Sequence, residues 1–482
     1  MDSFSRTLQT DSHGKASTIK LFSFARPHMR ALHLGWISFM TAFLAWYSIP
    51  PLISIIQADL GLSAVCIVVL VAHKTDVYDS NVVAVAATIA ARLFVGPLCE
   101  RFGPRKVMAG LLLVGAIPTA MVGLVKTASG LIALRFFIGI LGATFVPCQF
   151  WATQMFSSNV VGTANALAGG WGNMGGGITY LIMPPIYNGI YSHIPNSTAW
   201  KAVYIIPAVD IFFSDDCPEG KWHSVRQVTN DQVPADANKE DMEKMPQVAE
   251  YEDVANSDED SISLTSVNSH KSFATSVAVF LRTLVRPPVL ILLVQYACSF
   301  GLELSVDNII AALFHNRFQL NLTTSSYIGS VFGLMNLFSR LSGGLFADYL
   351  FRKWKLPGRI LAQIILLTCE GCFLIGFSYS LGRLDSSIGM MVLFSFFVQS
   401  TCGSTFALAP YVDPENVGTV MGIIGAGGSL GGLCFNFLFR SYGVDYHSAF
   451  LILGIVALVA GIPGSLLLRV QGRMLHNLRS TK

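Results

Sequence analysis

The stretch Gly169-Gly170-Trp171-Gly172-Asn173-Met174-Gly175-Gly176-Gly177 sets six glycines among nine residues, and apolar sequence continues on both sides. In water such a run reads as a loop, because glycine costs a helix interior about 1 kcal/mol against alanine. In lipid the backbone has to satisfy its own hydrogen bonds, so the segment reads as a helix. Its glycines then admit a second backbone at close range. Asn173 is the one amide side chain in the stretch, and since an unpaired amide in lipid costs several kcal/mol it is expected to face the protein interior. A similar stretch, Gly425-Ala426-Gly427-Gly428-Ser429-Leu430-Gly431-Gly432, returns late in the chain and points to a duplicated architecture.

Only 13% of the residues are charged, 52% are hydrophobic and the mean hydropathy is +0.55. These values exclude an ordinary soluble domain and indicate an all-α, polytopic membrane protein. The net charge of +3 carries no sign of a nucleic-acid partner. Cys369-Glu370-Gly371-Cys372 has the spacing of a redox or metal pair but stands without a second pair, so neither a metal nor a cofactor is expected. With no nucleotide loop, metal cluster or nucleophile constellation, the chain does not read as an enzyme. Met1 to Lys20 is polar, lacks the layout of a cleaved signal peptide and reads as a mobile tail.

Taking a span as about 20 apolar residues, helices are expected near His33–Ile56, Tyr78–Cys99, Val107–Val125, Ser129–Phe150 and Val161–Ile190. A second set follows near Pro287–Leu313, Ser325–Tyr349, Ile360–Tyr379, Ser387–Tyr411, Val417–Phe439 and His447–Leu468. Lys201 to Phe213 is apolar apart from its first residue and Asp210, but at roughly 20 Å of helix it falls short of a roughly 30 Å hydrocarbon core. The sixth span is therefore truncated. Ala64 to Ala72 is a second anomaly, an apolar run too short to cross; a structural insert and a gene-model error account for it equally. Basic clusters at Arg26/His28/Arg30, Arg101/Arg105/Lys106, Arg352/Lys353/Lys355 and Arg469/Arg473/Arg479 belong on the cytosolic side by the positive-inside rule, which requires an even number of crossings. The expected organisation is a cytosolic tail (1–32), an N-terminal helix bundle (33–213), an acidic cytosolic linker (214–286), a C-terminal bundle (287–470) and a cytosolic tail (471–482). The linker holds 14 Asp and Glu against 7 Lys and Arg and reads as disordered in its middle.

Three features repeat in the same order in both halves. Arg92 is followed by Gly96 and Glu100, and Arg340 by Gly344 and Asp348; the eight-residue step is about 12 Å of helix. If the two acids mark the rim, both guanidiniums lie near mid-membrane, where a charge costs about 2.5 to 3.5 kcal/mol and should face a cavity. The structural alternative is that each arginine snorkels or pairs within its own half. Gly142-Ala143-Thr144-Phe145 is echoed by Gly403-Ser404-Thr405-Phe406, and the glycine stretches complete the set. Parallel halves of this kind mark a transporter with its site between the repeats.

Gly96-Pro97-Leu98-Cys99-Glu100-Arg101-Phe102-Gly103-Pro104-Arg105-Lys106 resembles the loop motif after the second helix of the major facilitator superfamily, with Glu where Asp is usual. Arg135-Phe136-Phe137-Ile138-Gly139 resembles its fourth-helix motif. The glycine stretches, carried by Gly169, Gly170, Gly172, Gly175 and Gly176 and by Gly425, Gly427, Gly428 and Gly431, resemble the signatures of the nitrate and nitrite porter family. His28-Met29-Arg30-Ala31, the segment Gly301 to Asn308 and the paired arginines are similar to the plant and algal high-affinity nitrate transporters. The resemblance implies two pseudo-symmetric six-helix bundles and a substrate site lined by Arg92, Arg340, Asn173, Phe145, Phe406 and Tyr296. It also implies a gating loop motif at Gly96, Glu100, Arg101, Gly103, Arg105 and Asp348, and a plasma-membrane location. The partners to expect are nitrate or nitrite, protons, the lipid bilayer and a single-pass accessory subunit, with no nucleic acid.

The chemistry agrees. Nitrate is a planar monoanion, and guanidinium is a planar, weakly hydrated fork that stays charged and gives paired charge-assisted bonds. Phe145 and Phe406 are expected to wall the anion above and below, with Asn173 as a directional donor. Importing an anion against a negative interior costs about 2.3 kcal/mol per 100 mV, which two or more co-transported protons would reverse. Glu303 and Asp307, four apart on one helix face, are the proton-coupling candidates; the alternative is that one of them caps a broken helix or pairs with Arg340. The function to expect is import of nitrate or nitrite by proton symport with alternating access. A nitrate/nitrite exchanger, a nitrate sensor with little net transport and a defective gene model are the alternatives.

Overall fold

The computed structural model describes residues 8–49, 77–191 and 273–476. Among these the secondary structure is helical, with only isolated β-bridges besides. The first half contributes α1 (His28–Trp46), α2 (Val77–Phe102), α3 (Pro104–Met121), α4 (Ala128–Gly139), α5 (Phe145–Met155) and α6 (Val161–Tyr191). The second contributes α7 (Phe273–Leu284), α8 (Pro287–Phe318), α9 (Leu322–Leu334), α10 (Ser339–Ser380), α11 (Leu384–Leu408), α12 (Val417–Tyr442) and α13 (Tyr446–Leu467). Among the described residues, seven helical runs are long and apolar enough to cross a bilayer. One of them, Thr323–Ser380, has 58 residues, about 87 Å if straight, and so must fold back. It does so at Trp354 and Lys355, whose backbones leave the helical region (Lys355 φ +54°) just before Pro357 and Gly358. The expected spans Ser325–Tyr349 and Ile360–Tyr379 are the two arms of this turn.

The glycine stretches are helical, as lipid requires of them. Gly172 and Gly175 fit against Phe39, Phe43 and the Met40 carbonyl of α1. Gly428 and Gly431 fit against the Tyr296 ring and the Ala297 carbonyl of α8. Where the halves meet, α2 crosses α12 and α10 crosses α6. A Cβ on Gly418 would stand 2.8 Å from the Gly96 carbonyl oxygen, and one on Gly344 would stand 2.5 Å from the Gly162 carbonyl oxygen. Two backbones can approach this closely only because side chains are missing. Large apolar side chains such as Phe94, Ile117 and Val459 lie outside, more than 60% exposed, while Arg92, Arg340, Arg359, Glu303 and Glu370 lie inside. This distribution is the inverse of a water-soluble fold.

One expectation is corrected and one element is added. Residues 8–27 are not a free tail where described: Ala16 donates its N–H to the Met155 carbonyl (2.9 Å), Ser157 N donates to the Ala16 carbonyl (3.0 Å) and Lys15 Nζ donates to the Thr153 carbonyl (3.2 Å). The last carbonyls of α5 have no helical donors of their own, and this segment supplies them. Burial pushes the Lys15 amine down to about 8, against a smaller opposing pull from Asp11. The end of the acidic linker is likewise ordered, with Phe273–Leu284 forming α7. Thr283 and Arg286 fix its end on Asp413, at 3.4 Å and 2.8 Å. Lys201 to Phe213, Ala64 to Ala72 and the acidic middle of the linker lie outside the described residues.

Candidate functional site

Arg92 and Arg340 project from α2 and α10 into the space between the halves, both essentially unexposed. Their guanidinium carbons lie 5.0 and 5.7 Å from the centre of one ring, Phe300. They are held differently. Arg92 donates from Nε to the Gly142 carbonyl (3.0 Å) and from Nη1 to the Gly425 carbonyl (2.6 Å), leaving Nη2 buried without a hydrogen bond. The Gly142 carbonyl is available because the chain tightens into a 3₁₀ turn over Ile140–Thr144, between α4 and α5. Arg340 is held by side chains instead, with Nη2 at 2.6 Å from Glu303 Oε2 and Nε at 3.2 Å from Asn336 Oδ1. Asn336 Nδ2 closes the triangle on Glu303 Oε1 at 2.6 Å.

The aromatic residues converge on the same point. Tyr296 and Phe300 stack with centroids 5.1 Å apart, and Phe145 stacks on both at 6.1 Å. Phe406 meets Phe145 edge-on at 4.8 Å and 85°. The expected pair of parallel walls is therefore corrected: Phe145 and Phe406 touch each other, and the flat faces turned to the guanidiniums belong to Phe145 and Phe300. The Tyr296 hydroxyl is buried without a hydrogen bond. Asn173 is buried as expected, but its amide donates to the Gly169 carbonyl of its own helix (2.9 Å) and not to the centre. Its neighbours Gly169 and Gly170 do reach the site; a Cβ on either would meet the Arg340 side chain at 3.1 to 3.4 Å. Gly425 sits against Arg92 in the same way, at 3.5 Å. Each glycine stretch thus makes room for the arginine of the other half.

Glu303 belongs to the site through its ion pair with Arg340, so the expected alternative that one carboxylate pairs with this arginine is realised. Asp307 lies one turn further along α8, half-buried, with its carbonyl accepting the Tyr180 hydroxyl at 2.9 Å. At the basic end, Glu100 accepts the N–H of Thr419 in the first turn of α12 (2.7 Å). Asp348 accepts the N–H and hydroxyl of Thr163 in the first turn of α6 (2.6 and 2.7 Å). Each acid therefore caps a helix of the opposite half, where the helix dipole favours negative charge. Gly103 takes φ +84° at the turn after α2, Arg101 lies over Phe102 at 5.3 Å and Arg105 follows in the first turn of α3.

Sequence reading passed over Phe300, Asn336 and Arg359. Arg359 is fully buried, pairs with Asp348 at 2.6 Å and donates to the Ser158 and Ala407 carbonyls at 2.7 and 2.6 Å, tying the halves together. One signal for the capping sites was present: Val161-Gly162-Thr163 repeats as Val417-Gly418-Thr419.

A match to the Major Facilitator Superfamily covers residues 35–435. High affinity nitrate transporter 2.5 of Arabidopsis thaliana is 33% identical over 469 residues, 95% of this chain and 83% of that one. Nitrate transporter 2.1 of Chlamydomonas reinhardtii is 35% identical, over 87% of this chain and 70% of its own length. A nitrate/nitrite transporter of Picosynechococcus is 27% identical over 84% of both. Among solved structures, the human organic anion transporter MFSD10 (TETRAN) superposes with a TM-score of 0.56 at 14% identity, covering 91% of this chain and 99% of that one. The repeated arginines, the two glycine stretches and these matches agree: the chain belongs to the major facilitator superfamily, in its nitrate/nitrite porter family, and is a multi-pass membrane transporter, not an enzyme.

Proposed function

We propose that this chain imports nitrate or nitrite across the plasma membrane by proton symport with alternating access. The observation that carries the reading is the 2.6 Å contact between Arg340 Nη2 and Glu303 Oε2. In that state the carboxylate occupies the face of the fork that a planar anion would take. Protonating Glu303 removes its charge, opens the ion pair and releases the guanidinium to the anion. Anion and proton then enter the site together, and the competition between two negative charges for one guanidinium is the coupling. Arg92, held by two carbonyls, contributes a donor whose hold does not depend on a proton. Asp307, one turn from Glu303, is a second carboxyl for the same route.

Alternating access is supported by the two glycine crossings at the basic end and by a third, Gly177 on Gly333, between α6 and α9. At these points backbone meets backbone, so the halves can rock there once the Glu100, Asp348 and Arg359 contacts that latch the basic end are released. Exchange against internal nitrite is the competing mode. Its support is Arg92 Nη2, a buried cationic donor that could take an anion without any proton. Proteoliposomes decide between them. Symport requires that labelled nitrate enter with acidification of the lumen and in the absence of internal anion; uptake that needs internal nitrite and moves no protons sinks it.

A further inference from the structure

Glu370 lies midway along the second arm of α10, fully buried, and neither of its carboxylate oxygens has a hydrogen-bond partner. Its electrostatic neighbours are the Thr401 hydroxyl of α11, the Glu303 carboxylate of α8 and the Cys298 and Cys402 thiols. None of these is a cation. Beside it on its own helix is Cys369, and Arg340 on the first arm is engaged by Glu303. From α13, Gly454 and Leu458 pack on the neighbouring Gly371, and His447 bonds to the Ser378 carbonyl about 12 Å further along the helix. An unpaired carboxylate charge there would cost on the order of tens of kcal/mol by Born solvation, so the side chain rests as the neutral acid. It therefore holds a proton inside the bundle, away from the Arg340–Glu303 ion pair.

Its surroundings lead to that site. Thr401 and Cys402 are consecutive on α11, and Cys402 Sγ lies 3.6 Å from Glu303 Oε2. The Thr401 hydroxyl gives its proton to the Phe397 carbonyl (2.8 Å), which leaves its oxygen lone pairs to accept. We propose that Glu370 holds the proton delivered to Glu303, past Thr401 and Cys402, when Arg340 exchanges its carboxylate partner for the anion. In that step an O–H bond breaks at Glu370 and one forms at Glu303, the Arg340–Glu303 ion pair opens, and Glu370 takes a proton from the outer solution as it gives up its own, so no unpaired carboxylate is left; no electron moves. The inference rests on the symport reading.

The test uses the full chain in proteoliposomes, with acid-driven net uptake of labelled nitrate, nitrate–nitrate exchange at equal pH, and a lumenal pH dye. Exchange requires no change in the protonation of Glu303 between inward and outward passages. Glu370→Gln should slow acid-driven net uptake by about tenfold or more while leaving exchange within about twofold, and Glu370→Asp should restore part of the loss. Wild-type acid-driven uptake in Glu370→Gln overturns the inference, and so does an equal loss of both modes, which marks a structural role. If Glu370→Gln does not assemble, Thr401→Val answers the same question: slowed acid-driven uptake with normal exchange supports the relay, and normal acid-driven uptake overturns it. Should the wild type move nitrate without protons, the symport reading falls and takes the relay with it; intact wild-type coupling with an unaffected Glu370→Gln removes the relay alone.

Discussion

Glu303→Gln gives the sharpest test of the coupling, because the ion pair it removes sets both an affinity and a pH slope. With Glu303 ionised on Arg340, anion binding takes up one proton, so the dissociation constant for nitrate should rise about tenfold, or about 1.36 kcal/mol, per pH unit wherever the free site is ionised. The substituted amide neither titrates nor carries charge. The variant should therefore bind nitrate with a dissociation constant flat in pH. A charge-assisted hydrogen bond contributes about 1.5 to 3 kcal/mol, so at alkaline pH, where the wild type must first displace its carboxylate, the variant should bind roughly ten- to a hundredfold tighter. The assay is calorimetric titration of nitrate into purified protein over a range of pH. Net uptake should lose its acid dependence even as binding tightens. A flat wild-type curve, or a Glu303→Gln variant that keeps the slope, would refute the competition between Glu303 and the anion.

Arg92→Lys and Arg340→Lys should each abolish high-affinity uptake with membrane insertion intact. One ammonium cannot reproduce the fork, each lost charge-assisted bond costs about 1.5 to 3 kcal/mol, and normal uptake by either variant would count against a two-fork site. Gly344→Val places side-chain atoms against the Gly162 backbone and should hold the basic end open, read as increased thiol labelling of a cysteine introduced nearby and as lost uptake. Asp348→Asn strips the charge that Arg359 pairs with and should cost about 3 to 5 kcal/mol, visible as a lowered unfolding midpoint in detergent. Docking of residues 8–27 disfavours the charged form of Lys15, so it should strengthen as pH rises from about 8 toward the ordinary lysine value of 10.5. The protection factor of that segment, its hydrogen exchange taken relative to the unprotected rate at each pH, should rise over this window and checks the sign.

The parts of the fold legible in sequence were those that lipid enforces. A glycine-rich run has no helical alternative in a bilayer, so its conformation followed from composition, and the duplicated arginines and phenylalanines found each other because each half repeats the same local frame. What escaped was set by packing between elements distant in sequence. Nothing local marks Phe300, whose ring lies beside both guanidiniums. Phe145 and Phe406 form an edge-on pair because their helices approach at an angle no single-helix pattern records. Asn173 has the right burial and the wrong aim, since a helical carbonyl four residues back is nearer than the centre. The docked segment at 8–27 lacks apolar periodicity altogether; it is ordered by the unmet carbonyls at the end of α5.

The two arginines are equivalent by sequence and different by chemistry, and that difference is what a coupled carrier needs. Carbonyls cannot be protonated under physiological conditions, so the hold of the Arg92 partners does not depend on the proton. A carboxylate can be, so the partner of Arg340 is the one element of the site whose hold on the fork depends on the proton. Two carbonyl-held arginines would bind an anion regardless of pH and allow exchange alone. Two carboxylate-held arginines would need two protons to open the site and, until those arrived, would leave it without net charge to attract the anion. One of each keeps a residual positive charge at mid-membrane while tying occupancy to a single proton. The pseudo-symmetry of the halves supplies the geometry of the clamp, and in the proposed symport its violation at Glu303 supplies the link to the proton, whose gradient sets the direction of transport.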